Sequence, residues 1–130
     1  MEPRTAEALL VDDEEFPRDM LGQVIQRASG LLVEAYRDLD SAIAAIRSND
    51  SLKLVVSDLN LLGSNDRQGL KVVKVAKSER GIVDVLLVTV DQITAELRAE
   101  VEALGVEIFN KSDIDGISSR LGILKKRSEN

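Results

Sequence analysis

The chain has 130 residues, a hydrophobic fraction of 44% and a net charge of −6, enough for one domain with a real core, which must be aliphatic because only Phe16, Tyr36 and Phe109 are aromatic. The absence of cysteine excludes disulfides, thiolate catalysis and cysteine-ligated metals, and the absence of histidine excludes Ser-His triads, His-ligated zinc and an internal phosphohistidine donor. The acidic balance argues against direct nucleic-acid or anionic-membrane binding, since phosphate contacts need clustered Lys and Arg; with no signal-like start at Met1 to Glu7 and no membrane-length apolar run, the expected location is the cytoplasm.

Apolar runs of strand length alternate with segments of helical period. Strand one is expected over Ala8 to Asp12, and a helix from near Pro17 to Ser29, ended by Gly30. Its buried stripe would be Met20, Leu21, Val24, Ile25 and Ala28. Strand two follows over Leu31 to Ala35. Asp38 or Asp40 would cap helix two, with Ala42, Ile43, Ala45 and Ile46 inward. Strand three, Leu52 to Ser57, is apolar on both faces and so should be central. A loop from Leu59 to Gln68 leads into helix three, about Gly69 to Ser78. Strand four is Asp84 to Thr89, helix four about Thr94 to Leu104, strand five Val106 to Asn110, and helix five starts near Ser112 or Asp113. Five βα repeats imply an α/β protein, a doubly wound parallel sheet of the flavodoxin-like (βα)5 kind with strand order 2-1-3-4-5. The domain is expected over residues 1–126, with 127–130 a polar tail or linker start.

The carboxyl ends of parallel strands are where open α/β sheets build their sites, and the switch point of this order lies between strands one and three. Asp12 and Asp13 close the first run, Asp58 the third, Thr89 the fourth and Lys111 the fifth. Clustered carboxylates repel one another unless neutralised, and oxygen ligands without His or Cys favour Mg²⁺ or a similar ion. A carboxylate can accept a phosphoryl group, and a metal, an ammonium and a hydroxyl can neutralise its oxygens. Each residue alone has an ordinary reading as a turn acid, strand residue or surface charge; the joint pattern is what carries the inference.

From Ala8 to Leu124 the chain resembles the receiver domains of two-component response regulators, the CheY-like superfamily. The matching stretches are Leu9-Leu10-Val11-Asp12-Asp13-Glu14, Val55-Val56-Ser57-Asp58-Leu59, Leu86-Leu87-Val88-Thr89 and Phe109-Asn110-Lys111. The resemblance implies that Asp58 is the phosphoacceptor, that Asp13 ligates Mg²⁺ directly and Asp12 mostly through water, and that the main-chain carbonyl of Asn60 is a further ligand. It implies that Lys111 pairs with the phosphoryl group and that Thr89 bonds to it and moves. The sequence departs from the family pattern at Ser112 and Leu62, where proline is usual, and at Ile108, where an aromatic residue is expected. It departs again at Val90, whose bulk is expected to narrow access to the phosphoryl group.

The implied partner is a histidine kinase or histidine phosphotransfer protein, acting in trans. The implied output face is helix four, strand five and helix five, whose Glu96, Arg98, Glu100, Glu102, Arg120, Lys125 and Lys126 suit a homodimer, an effector or plain solvent. The alternative is a phosphorylation-independent pseudo-receiver acting as an interaction module. An aspartyl-phosphate phosphatase is disfavoured because Asn60, not an acid, stands two residues after Asp58, and no Walker-type or G-x-G-x-x-G loop is present. The chain is therefore read as no enzyme beyond its own phosphorylation and dephosphorylation.

Overall fold

The computed structural model describes residues 5–61 and 66–129, with the side chains of 128 and 129 left aside. Leu62 and Gly63-Ser64-Asn65 lie outside the described residues. Five strands, β1 (Ala8–Val11), β2 (Val33–Tyr36), β3 (Leu54–Asp58), β4 (Asp84–Thr89) and β5 (Glu107–Asn110), form one all-parallel sheet in the order β2-β1-β3-β4-β5. The helices are α1 (Glu15–Ser29), α2 (Leu39–Ser48), α3 (Gly69–Lys74), α4 (Ala95–Ala103) and α5 (Ile114–Glu129). This is the flavodoxin-like order expected from the βα alternation.

The sheet separates two aliphatic cores. On one face Leu10, Leu54, Val56, Leu86 and Val88 meet Leu21 and Ile25 of α1 and Ile117, Leu121 and Leu124 of α5. On the other, Leu9, Val55, Val85 and Leu87 meet Ala42 and Ile46 of α2, Val72 and Val73 of α3, and Leu97 and Val101 of α4. Every residue of β1, β3 and β4 is buried, as two-sided coverage demands.

Several boundaries differ from those the sequence suggests. Strands β2 and β3 start two residues late, because the Leu31–Leu32 and Leu52–Lys53 lead-ins precede the ladder; the Leu32 carbonyl accepts from the Glu7 and Ala8 N–H groups, and the Lys53 N–H donates to Glu7. Asp12 lies just past β1, its N–H donating to the Tyr36 carbonyl. Helix α1 starts at Glu15, which places Pro17 inside the first turn. Asp38, rather than Asp40, caps α2 by accepting from the Ser41 N–H at 2.8 Å, and Thr94 caps α4 through the Leu97 N–H. Helix α3 is only six residues long; Val75–Glu79 continues it as a wide π turn, which buries Val75 and Ala76 together. Residues 127–129, expected in the tail, are the last turn of α5. The cationic Lys125-Lys126-Arg127 suits a helix C-terminus, and Arg127 reaches back to Asp84 at 3.1 Å.

Candidate functional site

The ladder ends bring the sequence-predicted residues together. The Asp12 N–H donates to the Tyr36 carbonyl at 3.0 Å, the Leu59 N–H to the Val88 carbonyl and the Lys111 N–H to the Thr89 carbonyl, both at 2.9 Å. Each hydrogen bond closes a strand where its polar side chain begins. Asp12, Asp58, Thr89 and Lys111 are buried, whereas Asp13 is exposed. One carboxylate oxygen from each of Asp12, Asp13 and Asp58 lies within 4.8 Å of the others.

Lys111 ties the cluster. Its Nζ donates to Asp58 Oδ2 at 2.9 Å and lies 2.8 Å from Asp12 Oδ2. One ammonium therefore holds both buried carboxylates, with Asp12 Oδ2 at the shorter distance. Asp12 Oδ1 accepts from the Glu14 N–H at 3.0 Å, and Asp58 Oδ1 from the Asn60 N–H at 3.3 Å. Burial is the main cause that pushes the Asp58 carboxyl up to about 6; Asp12 adds to it, while Lys111 opposes it. Burial and the Asp12 charge likewise raise Asp13. Burial alone would lower Lys111, but its bonds to Asp12 and Asp58 outweigh that and raise it.

Three clustered acids have one ammonium among them, bonded to Asp12 and Asp58, and every candidate donor is a carboxylate oxygen. Such a set fits a hard divalent cation. Above it is a pocket of about 170 Å³, lined by Asp13, Glu14, Asp58, Asn60, Val90, Asp91 and Lys111.

The structure adds two residues that sequence reasoning missed. Asp91 accepts from Asn60 Nδ2 at 2.8 Å, and its own N–H donates to Thr89 Oγ1 at 3.0 Å. Arg18 donates to the Asp12 carbonyl at 3.1 Å. An acid two places beyond a strand-ending hydroxyl was a usable signal for Asp91; Arg18 carried none. The departures are also placed. Thr89 is in register with Asn110, Val88 with Phe109 and Leu87 with Ile108. Ile108 is buried in the core beneath α4, and Phe109 packs on the opposite face with α1 and α5. No described peptide bond is cis, and Lys111 reaches Asp58 across a trans Lys111–Ser112 bond. Val90 is 74% exposed and stands at the pocket rim.

Glycine is required behind Asp58. A Cβ on Gly69 would lie 2.0 Å from the Asp58 carbonyl oxygen, and the Gly69 N–H donates to the Leu59 carbonyl at 2.8 Å. Helix α3 therefore starts against the backbone of Asp58 itself.

No family model matches the sequence, and no curated protein matches it either. Solved structures do match along nearly its whole length. A chemotaxis response regulator of Vibrio cholerae is 25% identical, with 91% of this chain and 99% of that one aligned at a TM-score of 0.68. The receiver domain of the Francisella response regulator 1452 is 20% identical over 95% and 99% of the two chains, at 0.71. A response regulator receiver domain from Clostridium thermocellum reaches 0.77 at 16% identity, over 95% and 97%. This chain has the receiver-domain fold. Within that fold, Asp12, Asp13 and Asp58 form an acidic cluster able to hold a metal. No helix among the described residues is long and apolar enough to cross a membrane.

Proposed function

We infer that this receiver is a signalling module that accepts a phosphoryl group on Asp58 from a histidine kinase or histidine phosphotransfer protein. The observation that carries the reading is the convergence of Asp58, Lys111, Asp12 and Asp13 at the switch point of the sheet. Asp12, Asp13, Asp58 and the Asn60 main-chain carbonyl would hold Mg²⁺, which when bound supplies positive charge to the phosphoryl oxygens.

The chain's own residues account for the rest. An Asp58 carboxylate oxygen attacks phosphorus, the donor's P–N bond breaks, and its electron pair leaves with the imidazole, which takes up a proton. An acyl phosphate remains on Asp58. Lys111 releases part of its hold on the carboxylate and bonds to a phosphoryl oxygen. Thr89 Oγ1 already accepts from the Asp91 N–H, so its own hydrogen is free to donate. Drawing Thr89 inward moves Asp91 and the start of α4 with it, and the α4-β5-α5 face changes its population of packings. That face is the surface offered to an effector or to a second copy. Nothing besides this residue's own phosphorylation and dephosphorylation is turned over.

Intact mass after incubation with acetyl phosphate tests the reading. A gain of one phosphoryl group is expected, absent without Mg²⁺ and absent in Asp58→Asn. No gain, together with no beryllofluoride complex, would leave the phosphorylation-independent interaction module as the function.

A further inference from the structure

Lys111 has a delivery problem. Its long side chain carries substantial rotamer freedom, yet its ammonium must sit within hydrogen-bond reach of two buried carboxylates. On its amino side the backbone is fixed by the ladder bond to Thr89. On its carboxyl side lie the exposed Ser112 and Asp113, before α5 begins at Ile114.

The Asn110 side chain spans that gap. Its Oδ1 accepts from the Ser112 N–H at 3.0 Å and from Ser112 Oγ at 2.7 Å. Its own carbonyl accepts from the Asp113 N–H at 3.0 Å. Residue 110 thus grips residues 112 and 113 across Lys111, and the peptide units on both sides of the lysine are held. The grip also touches the neighbouring loop, where Asn110 Nδ2 lies 3.5 Å from the Asp91 carbonyl.

We propose that Asn110 is a positioning residue for Lys111, its side-chain oxygen clamping Ser112 so that the ammonium is delivered to Asp58. The proposal rests on the phosphoacceptor reading above. It makes Ser112 more than a spacer: its N–H and hydroxyl are the two donors the clamp closes on. Removal of the clamp deletes no group of the acidic cluster; besides the hold on Ser112 it loses only the 3.5 Å contact with the Asp91 carbonyl.

Two readouts test it. In the metal-free protein, the Lys111 ammonium, buried between two carboxylates, should give a protected Nζ proton signal by NMR. Asn110→Ala should abolish that protection, and Asn110→Asp, which keeps the acceptor, should restore it. With Mg²⁺ present, fluorine NMR titration with beryllofluoride should show binding weakened about tenfold in Asn110→Ala and recovered in Asn110→Asp. An Asn110→Ala protein with wild-type ammonium protection overturns the proposal. So does a loss that Asp cannot restore, since that would trace to the amide donor facing Asp91. A wild-type protein that forms no beryllofluoride complex sinks the phosphoacceptor reading instead, and the ammonium signal still decides the clamp.

Discussion

The two ends of the sheet each bury a carboxylate on a central strand, and they treat it in opposite ways. At the amino end Asp84, 6% exposed, starts β4 and meets two arginines of α5, Arg120 at 2.8 Å and Arg127 at 3.1 Å; Arg120 also binds Glu107 at 2.7 Å. Two acids there face two cations. At the carboxyl end Asp58, 5% exposed, ends β3 and shares Lys111 with Asp12, while Asp13 stands beside them without an ion pair of its own to that lysine. The first cluster is balanced in charge, though Arg120 Nη1 is buried without a hydrogen-bond partner among the described residues, and it fastens α5 to the starts of β4 and β5. The second is left short of positive charge where a pocket opens above it. The same fold thus uses buried charge as a fastening at one end and as a cluster of oxygen donors able to hold a cation at the other.

Substitutions should separate the two ends by sign. The largest effect is expected from Asp84→Ala, which leaves Arg120 half-partnered in a half-buried setting and should cost about 3 kcal/mol in urea unfolding. A loss under about 1 kcal/mol would show that the amino end is no fastening. At the other end Asp12→Asn should act the opposite way. It keeps an acceptor for the Glu14 N–H, relieves repulsion with Asp58, and should stabilise the metal-free protein by about 1 kcal/mol at neutral pH. Destabilisation by Asp12→Asn would break the comparison.

A pH series sharpens it. The Asp58 carboxyl is raised from 3.8 to about 6 by burial, so between those values the folded state keeps a proton that the unfolded state has released. Stability should therefore fall as pH rises from 4 through 6. Asp58→Asn should flatten that slope, and the gain from Asp12→Asn should shrink below pH 6 as Asp58 protonates. An unchanged slope in Asp58→Asn would assign the titration elsewhere. The smallest expected effect is at the rim. Val90 is mostly exposed, so Val90→Ala should speed loss of the phosphoryl group only about twofold, followed by intact mass over time. Equal decay rates would show that Val90 does not narrow access.

The sheet order was legible because the βα alternation allows few alternatives for a chain of this length, and β3 and β4 carry apolar residues on both faces. The strand-end acids, Thr89 and Lys111 were legible for the same reason, since each closes an apolar run. What stayed hidden depends on side-chain reach rather than on pattern. Asp91 reads as one acid in a polar loop until Asn60 is seen to bond to it, and Arg18 reads as a helix-surface charge until its guanidinium meets the Asp12 carbonyl. Which core each side chain of β5 enters follows from register: the pairing of Thr89 with Asn110 puts Ile108 under α4 and the Phe109 ring on the far face. The wide turn after α3 had no sequence signal, since valine and alanine serve an α or a π turn alike.

That wide turn bears on how this chain tolerates changes in length. A π turn closes five residues where an α turn closes four, and between Val75 and Glu79 the surplus residue is carried without disturbing the ends. Before it, Val72 and Val73 hold α3 to the sheet; after it, Ile82 enters the same core, and Glu79 grips Arg47 of α2 with two hydrogen bonds of 2.9 Å. Loss of one residue at Ser78 would let the segment rewind as an ordinary helix between fixed anchors. The same loss within β3 or β4 would turn half of a strand's side chains to the wrong core. A one-residue deletion within Val75–Glu79 is therefore expected to leave Asp58 and Thr89 in their places.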